Sequence, residues 1–109
     1  MTDLQLPEPI AAYFNADKHD GEAVARCFTK QAVVKDEGRT HSGLAAIKAW
    51  KTGASAKYSY ISEPVSVEQK EGHYIVTSRL TGNFPGSPID LRFVFRLERR
   101  KIAHLEIAP

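Results

Sequence analysis

The sequence predicts an α+β domain in which helices come first and an antiparallel sheet follows. Apolar residues recur at helical spacing through the first half of the chain, and after Lys57 their period changes to two. Turn residues separate the alternating segments, most clearly at Glu71-Gly72 and at Pro85-Gly86-Ser87-Pro88. A length of 109 residues suits one domain, so we expect residues 1–109 to fold as a single unit.

Two helices are predicted in the first part of the chain. Pro7 can open the first helix because proline is tolerated in a first helical turn, and Tyr13 and Phe14 belong to its apolar face. Asp20 can cap the second helix, which is expected to run through Phe28.

A strand and a third helix are predicted next. The run from Ala32 to Lys35 is typical of a strand, and Ser42 can cap a helix that begins at Gly43. Ile47 and Trp50 lie on one side of that helix. Because this side must cover the sheet to bury its apolar area, we expect Trp50 to pack inside the core.

The second half of the chain alternates between apolar and polar residues. Four strands are predicted there, namely Tyr58 to Gln69 with a break at Pro64, His73 to Phe84, Ile89 to Glu98, and Ile102 to Ala108. Phe93 and Phe95 belong to one apolar face of the penultimate strand. Helices packed on one concave face of such a sheet would enclose a conical core whose wide end can stay open.

Charge and composition argue against several classes of function. The 15 basic and 13 acidic residues nearly balance, which argues against a nucleic-acid partner because phosphate binding needs a concentrated basic surface. The basic cluster Glu98-Arg99-Arg100-Lys101 falls where a hairpin turn is expected. Cys27 is the single cysteine, so an internal disulfide cannot form, which fits a reducing interior. The first residues resemble neither a signal peptide nor a membrane span, so we expect no membrane partner and a cytoplasmic location.

Metal and cofactor sites are not predicted. The four histidines and the cysteine show no metal-ligand spacing. Nucleophile elbows, phosphate-binding loops and dinucleotide fingerprints are not found, and the Gly82–Gly86 segment has the composition of a turn. We therefore expect neither a metal nor a cofactor.

Asp36 is the first candidate for chemistry. It shares strand parity with Val34, so if Val34 faces the core, Asp36 should follow it and reach an apolar neighbourhood. A carboxylate at the edge of an apolar pocket can transfer a proton or orient a ligand. Glu37 is expected to point the other way, towards solvent. The alternative is that Asp36 is a turn carboxylate bonded to backbone amides.

His41 is the second candidate, five residues after Asp36 across a turn that Gly38 permits. If the turn is a hairpin, the imidazole could come within hydrogen-bonding reach of the carboxylate and form a proton-shuttling dyad. The alternative is an exposed loop histidine.

The order of these motifs resembles the nuclear transport factor 2-like superfamily. The resemblance rests on Tyr13-Phe14, on the run from Phe28 through Ala32-Val33-Val34 to Asp36, and on the helix with Gly43, Ile47 and Trp50. It is strongest for the SnoaL-like branch, which includes polyketide cyclases. The resemblance implies a cone with a pocket between helices and sheet. Because the superfamily contains isomerases, dehydratases, cyclases and proteins without catalytic activity, it implies a pocket rather than a particular reaction.

The resemblance to ketosteroid isomerases is partial. Asp36 is similar in context to their general base. The positions that would carry their two oxyanion donors fall near Ile10 and Phe93, which cannot donate. Such donors together contribute on the order of several kcal/mol of transition-state stabilisation, so their absence argues against steroid isomerase activity.

Two functional hypotheses remain open at this stage. In the first, the chain binds a small apolar or aromatic molecule and, if it is an enzyme, moves a proton with Asp36 assisted by His41. The residues expected to line that ligand site are Tyr13, Trp50, Phe93 and Leu105. A plain core role is the alternative for these side chains, because large apolar residues at such spacing commonly fill cores.

In the second hypothesis, the chain is a non-catalytic interaction module of the same fold. Its outer sheet face, with Arg79, Arg92 and His104, would pair with a second copy to form a homodimer. A cavity that contains Asp36 favours the first hypothesis, whereas a cone filled by aromatic side chains favours the second.

Overall fold

The computed structural model describes residues 5–18, 20–57 and 59–109, with the side chains of residues 54–57 outside that description. Within these residues the chain forms three helices and six strands. In chain order they are α1 (Glu8–Ala16), α2 (Gly21–Ala25), β1 (Phe28–Asp36), β2 (Arg39–Ser42), α3 (Leu44–Lys57), β3 (Tyr60–Lys70), β4 (His73–Gly82), β5 (Ile89–Glu98) and β6 (Lys101–Ala108). The predicted α+β class is confirmed, and the predicted strand position of Tyr58 lies outside the described residues.

The six strands form one sheet in the order β2-β1-β6-β5-β4-β3. Neighbouring strands are antiparallel except β1 and β6, which run parallel with Val34 opposite Leu105. The sheet is therefore mixed: four of its five strand pairings are antiparallel, as predicted, and the pairing of β1 with β6 is parallel. Alternation of side chains marks where a strand lies but not which strand it pairs with. Here β6 ends an antiparallel meander and returns beside β1 in the same direction.

The short helix α2 ends earlier than predicted. Asp20 caps it as expected, because its Oδ1 accepts a hydrogen bond of 2.8 Å from the amide of Ala23. The helix then ends at Ala25 rather than at Phe28. The carbonyl of Cys27 accepts a hydrogen bond from the amide of Ile102, so this part of the chain already pairs with β6. Strand pairing therefore ends the helix.

Helix α2 packs closely on α3 at Gly21. A Cβ at this position would lie 2.7 Å from the carbonyl oxygen of Lys48, so only glycine permits the approach. This contact fixes the part of α3 that carries Trp50 and Lys51.

Three hairpins turn within two residues, one of them at Glu71-Gly72 between β3 and β4. Glu37 and Gly38 connect β1 to β2 with φ values of 53° and 75°, and Arg99 and Arg100 connect β5 to β6 with φ values of 50° and 67°. Two successive residues with positive φ are typical of the turn type that matches the twist of a hairpin. The basic cluster is thus a turn, as predicted. The segment after Asp36 also forms a paired strand, β2, before the third helix.

The core lies between the helices and the inner face of the sheet. Tyr13 and Phe95 are fully buried, and Phe14 and Phe93 are nearly so. Their rings meet mainly edge to face, with Tyr13 and Phe14 centroids 5.2 Å apart. Trp50 packs against this core but is only half-buried, so the prediction that it lies inside the core holds in part. No helix in the described part of the chain is long and apolar enough to cross a membrane.

Candidate functional site

A cavity of about 720 Å³ opens between the helices and the inner face of the sheet. Its walls come from α1, α3, the end of β1 and the inner sides of β3, β5 and β6. Leu91, Phe93 and Ile107 make part of an apolar wall. The volume falls in the range of sites that hold small organic molecules. The cone is therefore not filled by its aromatic side chains.

Asp36 lies on the cavity wall at the last position of β1. Val34, two residues earlier, is fully buried in the core, so Asp36 shares the inward side of the strand as its parity predicts. The indole Nε1 of Trp50 donates a hydrogen bond of 3.0 Å to Asp36 Oδ2. Among the described residues, the other carboxylate oxygen, Oδ1, accepts no hydrogen bond. One oxygen is thus held by α3 and the other is free to accept.

Glu37 also borders the cavity, although it is exposed as expected. The parity argument placed it on the opposite side from Asp36. Glu37 does not follow the alternation of the strand because it belongs to the turn, with φ 53°. Glu106 of β6 borders the same opening. Asp36, Glu37 and Glu106 thus contribute three acidic residues to the lining of the cavity.

His41 lies in β2 opposite Val34, while Asp36 is opposite Arg39. Residues on this diagonal are typically about 7–8 Å apart, beyond direct hydrogen bonding. The imidazole ring instead lies 5.9 Å from the indole ring of Trp50. His41 is not part of the cavity wall. Its ring lies beside Trp50, which binds Asp36, rather than beside Asp36 itself.

Three of the four predicted ligand-binding side chains line the cavity. These are Tyr13, Trp50 and Phe93. Leu105 is fully buried in the core outside the wall. It pairs with Val34 and Phe95 in the middle of the sheet, and the next inward residue of β6, Ile107, contributes to the wall instead. Leu105 therefore belongs to the core, and the cavity begins two residues further along β6.

A second polar cluster on the wall was missed in the sequence. Lys51 forms an ion pair with Asp17, and the two side chains are only 6% and 7% exposed. Lys51 Nζ also donates a hydrogen bond of 2.5 Å to the hydroxyl of Tyr60. The Tyr60 hydroxyl in turn donates to Asp17 Oδ1 at 3.2 Å. These three groups form a closed triangle of hydrogen bonds that ties together α1, α3 and β3.

A signal for this cluster is present in the helical spacing. Asp17 follows Tyr13 by four residues, and Lys51 follows Ile47 by four, so each charged residue falls on the apolar face of its helix. A single charge on an apolar face is often a boundary residue. Two opposite charges on two helices that cover the same sheet indicate a buried pair.

The burial of this cluster changes its acid–base properties. Desolvation raises the pKa of the Tyr13 and Tyr60 hydroxyls, and the positive charge of Lys51 opposes that rise. Burial alone would lower the pKa of the Lys51 ammonium, but the neighbouring groups, Tyr13, Asp17 and Tyr60, outweigh it and raise the pKa above its ordinary value. At neutral pH the site therefore contains two neutral hydroxyls and a fixed positive charge.

The Tyr13 hydroxyl is a buried polar group without a hydrogen-bond partner among the described residues. Its side chain is fully buried on the cavity wall, and its oxygen has no hydrogen-bond partner among the described residues. A buried hydroxyl without a partner is costly, so native structures rarely keep one without a reason. No group of three or more side chains that could hold a metal ion is found in the described ranges.

Three helices against one face of a six-stranded mixed sheet define the nuclear transport factor 2-like fold class, here with a cavity that has both apolar and polar walls. Within that class the chain belongs to the SnoaL-like domain family, which it matches over residues 10–105. No protein of curated function matches the sequence at a significant level.

Solved structures of other proteins are similar to this chain. A candidate polyketide cyclase from Sinorhizobium meliloti is 38% identical, with a TM-score of 0.88 and 94% of each chain covered. A protein of ketosteroid isomerase-like fold from Catenulispora acidiphila, in complex with trimethylamine, is 18% identical, with a TM-score of 0.84 over 96% of this chain and 87% of that one. A candidate SnoaL-like polyketide cyclase from Shewanella denitrificans is 13% identical, with a TM-score of 0.70 over 92% and 86%. The last two similarities concern the fold alone.

Proposed function

We propose that the chain binds a small, mainly apolar or aromatic molecule in this cavity and uses Asp36 to move a proton on it. The observation that carries the proposal is a carboxylate on the cavity wall, with one oxygen held by Trp50 and the other without a partner among the described residues. The similarity to a candidate polyketide cyclase at 38% identity supports this class of chemistry. The trimethylamine complex of the Catenulispora protein supports small-molecule binding within the fold.

The proposed chemistry begins with proton abstraction next to a carbonyl group. Isomerisation, aldol cyclisation and dehydration all share this first step, and each needs a base whose position is fixed before the substrate arrives. The indole N–H of Trp50 holds Asp36 Oδ2, which leaves Oδ1 as the proton acceptor. His41 would assist through its ring contact with Trp50 rather than by a direct bond to Asp36. Apolar walls would exclude water from the carbon that loses the proton.

Asp36→Asn tests the proton transfer. With phenylacetone as a probe ketone in deuterated buffer, we expect the wild-type protein to accelerate exchange of the protons next to the carbonyl. The amide keeps the size of the side chain but cannot accept the proton, so the exchange rate should fall by at least about 100-fold. Nuclear magnetic resonance measures the exchange directly.

Asp90→Asn is the matched control. Asp90 is an exposed carboxylate that pairs with Arg79 on the outer face of the sheet, away from the cavity. The Asp90→Asn variant should accelerate proton exchange of phenylacetone as much as the wild-type protein does. If wild-type protein accelerates exchange no more than Asp36→Asn does, the catalytic proposal fails. A change in ligand affinity alone would then favour the alternative, a non-catalytic ligand-binding module.

A homodimer through the outer face of the sheet is a further part of the proposal. That face carries Thr77 opposite Arg92 and Arg96 opposite His104. It combines exposed charges with half-buried aliphatic area, such as Val94, and so suits a polar symmetric interface. Light scattering at micromolar concentration should give the mass of two chains. A monomer mass under those conditions would contradict the dimer without affecting the proposed chemistry.

A further inference from the structure

We propose that Ser62 donates a hydrogen bond to an oxygen of the ligand, at the side of the cavity far from Asp36. The inference rests on the proposed function and narrows its substrate class to elongated molecules with an oxygen at each end of an apolar body. One end carries the carbonyl group next to which Asp36 takes a proton. The other end carries an ether, hydroxyl or carbonyl oxygen that accepts from Ser62.

The side chain of Ser62 lies on the inner side of β3. Tyr60 and Ser62, two residues apart, both line the cavity, whereas Ile61 between them is 70% exposed. A strand with one side towards a cavity produces this alternation. The hydroxyl oxygen of Ser62 lies 2.7 Å from that of Ser78 on neighbouring β4. A hydrogen-bonded pair of hydroxyls therefore forms part of this wall.

Burial decides which of these two hydroxyls is the donor. Ser78 is fully buried, and within the described residues its hydroxyl bonds only to that of Ser62. If Ser62 donated to Ser78, the Ser78 proton would be buried without an acceptor, which is unfavourable. When Ser78 donates instead, its proton is satisfied and the Ser62 proton is left over. Ser78 is therefore the donor, and Ser62 keeps a free O–H.

The O–H of Ser62 is available to a ligand. Ser62 is half-buried on the cavity wall, and no described side chain other than Ser78 bonds to its hydroxyl. The next hydroxyl on the same strand, that of Tyr60, already donates to Asp17. Because Ser62 accepts a hydrogen bond from Ser78, its own O–H is polarised and becomes a stronger donor. Ser62 is thus the donor that β3 offers to the cavity.

The sheet order separates Ser62 from Asp36. β1 and β3 are four positions apart in the order β2-β1-β6-β5-β4-β3. At about 4.8 Å between neighbouring strands, the path along the sheet is about 19 Å, which is an upper limit because a sheet twists. The strands between them contribute apolar side chains to the wall, among them Leu80, Phe93 and Ile107. The lining therefore changes from polar to apolar and back to polar.

A ligand that fills this lining is selected by what it places beside Ser62. An apolar group there would displace water from the Ser62 proton and give no hydrogen bond in return. A ligand oxygen restores the lost hydrogen bond, so the site favours the oxygenated molecule over an analogue of the same shape. The selectivity depends on Ser62 and is independent of the proton transfer at Asp36.

Two pairs of aryl ketones test the subsite. In each pair, one member carries a methoxy group at the end far from the ketone and the other carries an ethyl group of nearly the same size. The shorter pair is 6-methoxy- and 6-ethyl-2-naphthylacetone, and the longer pair is the 4′-methoxy and 4′-ethyl derivatives of biphenyl-4-ylacetone. Calorimetric titration gives the methoxy-to-ethyl affinity ratio. Comparing this ratio between protein variants cancels the difference in hydrophobicity between the probes.

Ser62→Ala should lower the ratio by about 3- to 10-fold for at least one pair, the effect of one neutral hydrogen bond. It should also lower the midpoint of thermal unfolding, because the buried Ser78 proton loses its acceptor. Ser62→Ala combined with Ser78→Ala removes both hydroxyls, so it should recover the midpoint and keep the low ratio. Ser66→Ala is the matched control, since Ser66 is an exposed serine of β3 outside the cavity wall and should keep the wild-type ratio.

Equal ratios in the wild-type protein and the double variant, for both probe lengths, would overturn the subsite. A wild-type protein that binds no member of either pair would overturn it as well. Neither result decides the proposed function, because proton exchange of phenylacetone tests Asp36 with a probe that has no second oxygen. Normal exchange together with equal ratios would keep Asp36 as the base and leave the far end of the ligand unrecognised.

Discussion

Lys51→Met is expected to lower the free energy of unfolding by about 3–5 kcal/mol, the usual cost of removing one partner of a buried ion pair. The Lys51 and Asp17 side chains are 6% and 7% exposed, so water cannot solvate the carboxylate that remains. Tyr60 would still donate to Asp17, but one neutral hydroxyl does not replace a positive charge. Urea unfolding followed by circular dichroism gives the change.

A double-mutant cycle separates the ion pair from the lost packing of the lysine stem. Asp17→Asn combined with Lys51→Met should recover much of the stability, because the double variant buries no unpaired charge. Lys48→Met is the matched control, since Lys48 is an exposed lysine on the same helix and should change stability by no more than about 0.5 kcal/mol. If Lys51→Met costs no more than Lys48→Met, the pair is not buried in solution.

The buried ion pair of Asp17 and Lys51 is not the most stabilising way to fill its space in the fold. A buried pair is often less stabilising than apolar residues of the same volume. Its retention on a cavity wall therefore favours a role in binding over a role in folding. The unpartnered Tyr13 hydroxyl has the same implication, because phenylalanine would fill the same space without an unsatisfied oxygen.

The sequence predicted the fold better than the site because periodicity is a local property. The alternation of β5 gave its bounds as Ile89–Glu98, and Asp20 was identified as a cap. The parallel pairing of β1 with β6 could not be predicted, since it joins residues far apart in the chain, such as Val34 and Leu105. The early end of α2 has the same origin, because pairing with β6 overrides the helical pattern.

The candidate site also has some features that follow from local periodicity and others that depend on how distant elements pack. Strand parity placed Asp36 on the inward side, and helix periodicity placed Tyr13 and Trp50 there as well. The hydrogen bond from Trp50 to Asp36 and the triangle around Lys51 depend on the rotation of α3 against the sheet. A small rotation of α3 changes which side chains meet, and the spacing of residues within one helix does not specify that rotation.

The second large effect is expected at alkaline pH, where the free energy of unfolding should fall steeply from about pH 10 upward. Three groups have pKa values that the folded structure raises above their ordinary values of 10.0, 10.5 and 10.0, namely the buried Tyr13 and Lys51 and the half-buried Tyr60. Above pH 10 the unfolded chain loses these protons while the folded chain keeps them. Unfolding then releases protons, so stability is fully present below the ordinary pKa values and is lost as the pH rises.

Tyr13→Phe removes one of the three contributions to this loss. One group contributes at most about 1.4 kcal/mol per pH unit, so Tyr13 alone should account for about 2–3 kcal/mol two units above its ordinary pKa. Urea unfolding at a series of pH values should give a shallower decline for Tyr13→Phe than for the wild-type protein, with the two curves diverging above pH 10. Tyr74→Phe, which removes a hydroxyl from a tyrosine outside the cavity, serves as the control. Parallel curves for the wild-type protein and Tyr13→Phe would mean that the Tyr13 hydroxyl reaches water in the folded state.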